Sequence, residues 1–147
     1  MRRNQKSGFT LLEIIVVLII LSVVLALALP RFFGMVETSR GSEALNALST
    51  IRGSMERCYL AVSGDYTNCF LHSSGGTDNL DIDDPDTAPN THFTYVVSGQ
   101  GVAGYTVVAT RNSRDGGNTA DTITYTISNT GAGTITKVGT GAFKGIH

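Results

Sequence analysis

Several things that mark an enzyme or a nucleic-acid binder are missing from this sequence. It has no Gly-Lys-Ser/Thr run to cradle a phosphate and no G-x-S-x-G turn to present a nucleophile. Histidine is scarce: His72, His92 and His147 are the only three, at spacings that suggest no catalytic triad. Cysteine is scarcer still. Cys58 and Cys69 stand with ten residues between them and no further cysteine, too few ligands for a metal site of that type. Positive charge is thin beyond the start. Past Gly8 the chain has 8 basic residues against 12 acidic ones, so no basic patch marks a nucleic-acid partner. The expectation is a protein that is not an enzyme, with no catalytic residues, metal or cofactor.

Acidic residues are also absent from the first twelve positions, where Arg2, Arg3 and Lys6 are all positive. An apolar run then extends from Phe9 to Leu29, 21 residues broken by a single charge, Glu13. A helix needs about 20 such residues to cross a bilayer. Basic flanking residues on the N-terminal side leave the start in the cytoplasm and the remainder exported. A cleaved secretory signal would have a shorter apolar region, of about 7–15 residues. Length therefore favours an anchor, although Ala26 and Ala28 would suit a conventional cut.

A carboxylate in such a run costs about 2.5–3.5 kcal/mol on insertion scales, so it is ordinarily paired or functional. Glu13 lies close enough to the start of the run to reach the interface by snorkelling. The junction before it suggests more. Cleavage after Gly8 would put a new ammonium on Phe9, and that charge could neutralise Glu13 of an adjacent copy in low dielectric. The segment "GFTLLEIIVVLIILSVVLALALP" resembles the N-terminus of type IV prepilins and the related pseudopilins. The resemblance is close over about the first 55 residues and architectural beyond them. It implies that a prepilin peptidase cuts between Gly8 and Phe9 and methylates the new amine. It also implies that Glu13 guides docking into a growing filament and that Pro30 is the helix-bending proline. One departure is Ser22, where many members carry Gly.

Beyond Pro30, Leu45, Leu48, Ile51, Met55, Tyr59 and Val62 recur at steps of three and four, one apolar stripe on a helix. Arg40, Glu43, Asn46, Arg52, Glu56 and Arg57 fall mainly elsewhere around it. The C-terminal half alternates instead. Phe93, Tyr95 and Val97 share one face, as do Tyr105, Val107 and Ala109, and then Ile123, Tyr125 and Ile127; a weaker strand surrounds Ile135. Period-two alternation with one apolar face predicts an antiparallel sheet wetted on its other side. The fold class is α+β: a long N-terminal helix, transmembrane then amphipathic, packed on a four-stranded antiparallel meander. The expected divisions are a cleaved leader over 1–8, a membrane and assembly helix over 9–30, and a globular pilin domain over 31–147. Within that domain, 31–62 is helix, 63–91 a loop and 92–139 sheet.

Cys58 near the end of the helix and Cys69 in the loop both lie on the exported side, where oxidation predicts a Cys58–Cys69 disulfide. The loop also carries Asp78, Asp81, Asp83, Asp84 and Asp86. Oxygen ligands suit calcium, but the Asp78–Asp86 spacing departs from the usual calcium loop, and a solvated acidic loop is the commoner arrangement. The major pseudopilins resembled here carry a calcium loop among their C-terminal strands. The nearest match, "NSRDGGNTAD" with Asp115 and Asp121, is poor.

The leading function class is structural: a type IV pilus subunit, or a type II secretion pseudopilin as the alternative. Expected partners are further copies in a helical filament, the prepilin peptidase, the inner-membrane assembly machinery, and membrane lipid before assembly. The expected locations are the bacterial inner membrane and then an extracellular pilus. A single-pass anchored binding domain that never polymerises is the reading from another class.

Overall fold

A computed structural model describes residues 9–71, 80–129 and 133–146. The chain divides into two compact units, Met1–Val36 and Glu37–His147. One helix, α1 (Leu11–Ala61), supplies the described part of the first unit and the opening of the second. Four strands follow: β1 (Phe93–Gly101), β2 (Gly104–Arg111), β3 (Thr122–Ser128) and β4 (Thr134–Gly139).

In the first unit, α1 runs through Pro30 without interruption. Proline removes one backbone donor and crowds the preceding turn, at a cost of about 3 kcal/mol in a helix interior. The apolar, helix-favouring residues on both sides carry the helix across it. Ser22 sits without conflict in this surface because its hydroxyl donates to the carbonyl of Ile19 at 2.8 Å.

The second unit is built on the predicted stripe. Leu48, Ile51 and Met55 are fully buried, while Leu45, Tyr59 and Val62 pack at the margin. The stripe is wider than the sequence suggested, because Gly41, Ala44 and Ser54 are buried too. α1 ends through a bond from the N–H of Gly64 to the carbonyl of Tyr59 at 2.9 Å. The left-handed residue that makes this closure is Ser63 at φ 66°, with Gly64 continuing at φ 86°.

The sheet order is β1-β2-β3-β4, every neighbouring pair antiparallel, which is the predicted meander. Tyr95 pairs with Ala109, and Ala109 with Ile123, so the apolar residues of three strands line one face. They meet α1 in a core completed by Tyr66, Cys69, Leu71, Leu80 and Phe143. Gly104 makes the β1–β2 corner possible. Its φ is +137°, and a Cβ there would strike the carbonyl of Ile127 on β3. β4 lacks a buried side chain. Its Lys137 ammonium instead lies 5.2 Å from the Tyr125 ring, covering the end of the core face.

The loop after α1 is stapled. Cys58 and Cys69 are disulfide-bonded, their Cα atoms 6.0 Å apart. Closing a loop of this size contributes about 3 kcal/mol in the chain-entropy treatment. Arg57 adds a two-pronged contact to Asp81, Nε to Oδ2 at 2.6 Å and Nη2 to Oδ1 at 2.8 Å, and Ser54 donates to the same carboxylate. Tyr59, Tyr66 and Tyr105 stack in series with centroids 4.6 and 4.7 Å apart. The Tyr66 hydroxyl donates to Glu56, but the buried hydroxyl of Tyr105 has no hydrogen-bond partner among the described residues.

Two substitutions test this core in opposite directions. Ile51→Ala is expected to destabilise by about 2–5 kcal/mol, the cost of a cavity at a fully buried site. Tyr105→Phe deletes an unpaired hydroxyl whose burial carries a penalty of about 1–3 kcal/mol, so stability is expected to hold or rise. Denaturant melts of the full chain in detergent measure both; a loss above about 1 kcal/mol for Tyr105→Phe would contradict the unpaired assignment.

Candidate functional site

The residues expected to act lie in the first unit. Gly8, with Arg2, Arg3 and Lys6, lies outside the described residues. Phe9 and Thr10 precede α1. Thr10 caps it: the N–H of Glu13 reaches the Thr10 hydroxyl at 3.2 Å and its carbonyl at 3.1 Å. Thr10-Leu11-Leu12-Glu13 thus follows the capping-box spacing. Glu13 stands in the first helical turn, where the free N–H groups favour an anion by about 0.3–1 kcal/mol. Sequence reasoning treated Glu13 as a membrane charge and missed this local role, although the T-x-x-E spacing was there to read.

The apolar side chains after Glu13 face outward. Phe9 is 77% and Leu27 73% exposed, and Leu11 through Val24 contains no buried residue. The helix is long and apolar enough to cross a membrane, and its most apolar 18-residue window reaches a mean hydropathy of 3.2. Burying one such side chain is worth about 1.5–3 kcal/mol. Exposed together, they require lipid or another apolar surface.

The second unit contains a polar network that the stripe analysis did not single out. Arg111 is completely buried at the end of β2. Its Nε and Nη2 grip the two oxygens of Glu37 at 3.1 and 3.3 Å. Nη1 donates to the carbonyls of His92 and Asn112 at 3.1 and 2.9 Å, and Nη2 to that of Arg114 at 2.9 Å. The Arg111 hydrogen bonds hold the Glu37 carboxyl below its ordinary value, against the upward push of burial; Arg40, 2.6 Å away, helps. Glu43 meets His92 with both oxygens. Burial pushes Glu43 up, but the His92 backbone and ring contacts outweigh it and the net direction is down. The signal for Arg111 was available: Tyr105, Val107 and Ala109 face inward, and 111 continues that parity.

Three of the acidic residues considered for calcium are engaged with protein donors. Asp81 holds Arg57, Asp84 accepts the N–H of Asp86 at 2.9 Å, and Asp86 accepts the N–H of Tyr95 at 2.8 Å. Asp115 meets Arg40 and His92. Asp78, His72 and His147 lie outside the described residues. No group of three or more His, Cys, Asp or Glu placed to hold a metal occurs among the described residues.

With this geometry in view, the relatives can be placed. Residues 3–29 match the prokaryotic N-terminal methylation motif. The long N-terminal helix, the four-stranded antiparallel sheet and that segment together make a pilin-like arrangement. The chain is similar to the type IV major fimbrial protein FimA of Dichelobacter nodosus, 27% identical over 116 residues, covering 79% of this chain and 70% of that protein. Fimbrial protein EcpC of Eikenella corrodens is 28% identical over 96 residues, covering 54% of this chain and 63% of that protein. Prepilin peptidase-dependent protein A of Clostridium perfringens is 32% identical over 77 residues, covering 51% and 55%. The chain thus spans less than two thirds of the length of two of these three. No solved structure matches it.

The network has a pH consequence. Glu37 and Glu43 are held below their unfolded values, so their contribution is fully present above the unfolded carboxyl range. It is lost as pH falls through their folded values, that is, downward from about pH 4. Glu37→Gln is expected to flatten this acid limb in melts from pH 7 to 2. At pH 7 it should cost about 2–3 kcal/mol, less than for a fully buried pair because Glu37 is partly exposed. An unchanged limb would remove Glu37 from the balance.

Proposed function

We propose that this chain is a structural subunit of a type IV pilus. The prepilin peptidase cuts after Gly8 and the new amine on Phe9 is methylated. The subunit waits in the inner membrane on its apolar helix, and the assembly machinery there passes it into a helical filament of identical copies that ends outside the cell. The observation that carries this reading is the first unit itself: a membrane-length helix, apolar and exposed, with one carboxylate five residues past Gly8. Burial of that surface supplies cohesion. The Phe9 ammonium of one copy against Glu13 of the next supplies register, because both charges must be neutralised in low dielectric. Pro30, by weakening the helix locally, gives the segment room to adjust in the fibre. The match to the methylation motif and the likeness to fimbrial proteins support the same reading. The reading needs no catalytic residue and no cofactor.

A secretion pseudopilin is the second reading, supported by the same N-terminal segment. Against it, both Asp115 contacts in "NSRDGGNTAD" are with cationic or imidazole groups of the protein, which leaves that carboxylate less free for calcium.

Glu13→Val tests the proposal. Mass spectrometry should find both proteins beginning at Phe9 with a methylated amine, since the cut site is untouched. Sheared surface fibres should fall by about two orders of magnitude, because removing one partner of a buried pair leaves the other charge uncompensated at about 3–5 kcal/mol. Retention of Met1 in the mature wild-type chain would favour an anchored domain that never polymerises. Wild-type processing with no surface fibres would favour the pseudopilin.

A further inference from the structure

His92, just before β1, is held between two carboxylates on different elements. Its backbone N–H donates to Glu43 Oε1 of α1 at 3.0 Å, and its Nδ1 lies 2.8 Å from Glu43 Oε2. Its Nε2 lies 3.1 Å from Asp115 Oδ2 in the turn between β2 and β3. The ring is four-fifths buried. Among the described residues, the charged groups around it are Arg40 and Glu43 of α1, Arg111 of β2, which donates to the His92 carbonyl, and Arg114 and Asp115 of the turn.

Asp115 sits at φ 52°, ψ 36°, a left-handed conformation that aspartate adopts more readily than most residues, and two groups meet its carboxylate there. They are His92, and Arg40 Nη2 at 3.2 Å. A neutral imidazole carries one N–H and can serve only one carboxylate. The imidazolium carries two and can serve both.

We propose that His92 is a proton-operated latch, which fastens the β2–β3 turn to α1 when both ring nitrogens carry hydrogen and loosens it when one proton leaves. The remaining proton stays on Nδ1, because the Glu43 contact is shorter and is anchored by the His92 backbone N–H. A lone pair on Nε2 then faces the Asp115 carboxylate, and attraction becomes repulsion. The Asp115 carboxyl is held below its ordinary value chiefly by the His92 contact, against the upward push of desolvation, with Arg40 and Arg114 helping. Imidazole is the side chain whose two ring nitrogens can exchange donor and acceptor roles as the pH of the medium changes. The turn is not freed completely. Arg40 of α1 still pairs with Asp115 at 3.2 Å, Arg114 still reaches the Asn90 side chain at 2.8 Å, and Arg111 still holds the Arg114 carbonyl.

Amide hydrogen exchange on the full chain in detergent reads this directly. Protection of residues 112–117 is measured at pH 5.5 and pH 8, corrected for intrinsic exchange and taken as a ratio to the β3 amides. The expected result is a fall of about five- to tenfold at pH 8, on the scale of one charge-assisted hydrogen bond. His92→Gln, neutral at both values, should abolish the difference. Asp115→Asn, on the exposed turn, should abolish it too, and serves if His92→Gln does not fold. An unchanged ratio in the natural chain would overturn the latch, as would a fall that survives in either variant.

Discussion

A buried guanidinium organises the globular unit. Arg111 at the end of β2 is removed from water entirely, and each nitrogen of its head must find an acceptor inside the protein. Glu37 supplies two acceptors, and the main-chain carbonyls of His92, Asn112 and Arg114 with the Asn112 side-chain oxygen supply the rest. These acceptors lie on α1, on the approach to β1 and in the β2–β3 turn, so satisfying one side chain fixes three parts of the chain at once. An isolated buried cation would cost several kcal/mol. The fold meets that requirement with one carboxylate, one side-chain amide oxygen and three backbone oxygens. The interaction therefore acts less as a source of stability than as a constraint on which arrangement of helix and sheet is permitted. It also sets the place of His92, whose carbonyl Arg111 holds while its ring meets Glu43 and Asp115.

α1 meets two different physical demands along its length. From Leu11 to Leu29 it is apolar around its circumference and exposed, which suits a solvent of hydrocarbon or of other helices. From Glu37 to Ala61 it is apolar on one stripe, which suits a sheet. No break in helical structure marks the change; side-chain composition alone makes it. Gly41 shows how closely the second part is fitted, since a Cβ there would come within 3.1 Å of the Phe143 ring.

Much of this was readable from the residues. Strict alternation placed Phe93, Tyr95, Val107, Ile123 and Tyr125 on the buried face, because side chains on a strand have no freedom to choose otherwise. The helical stripe gave Leu48, Ile51 and Met55 for the same geometric reason. Three things were not legible. Small residues such as Ala44 and Ser54 are buried by close approach, which hydrophobicity alone does not rank. Glu43 and Arg40 sat on the polar side of the helix by composition, yet they are partly buried because a histidine and an aspartate from distant segments come to meet them. Such pairings span 49 and 75 positions in the chain, and no local pattern encodes them. Arg111 lay between: its parity pointed inward while its chemistry pointed outward, and parity won because acceptors were available.

The N-terminal segment resolves a related tension. A carboxylate near the start of a membrane helix is usually expensive, and an assembly role alone would leave it unsupported while the subunit waits in lipid. The Thr10 cap and the first-turn position change that account. Four helical N–H groups near the start have no intrahelical acceptor, and Glu13 sits where their partial charge is greatest. The helix terminus thus gives the side chain a favourable place at the interface that does not depend on a second copy. A neighbouring ammonium would replace this weak, solvated support with a direct charge pair in low dielectric. The same side chain is then tolerable alone and better satisfied in company, the energetic order that the proposed move from a membrane into a fibre requires.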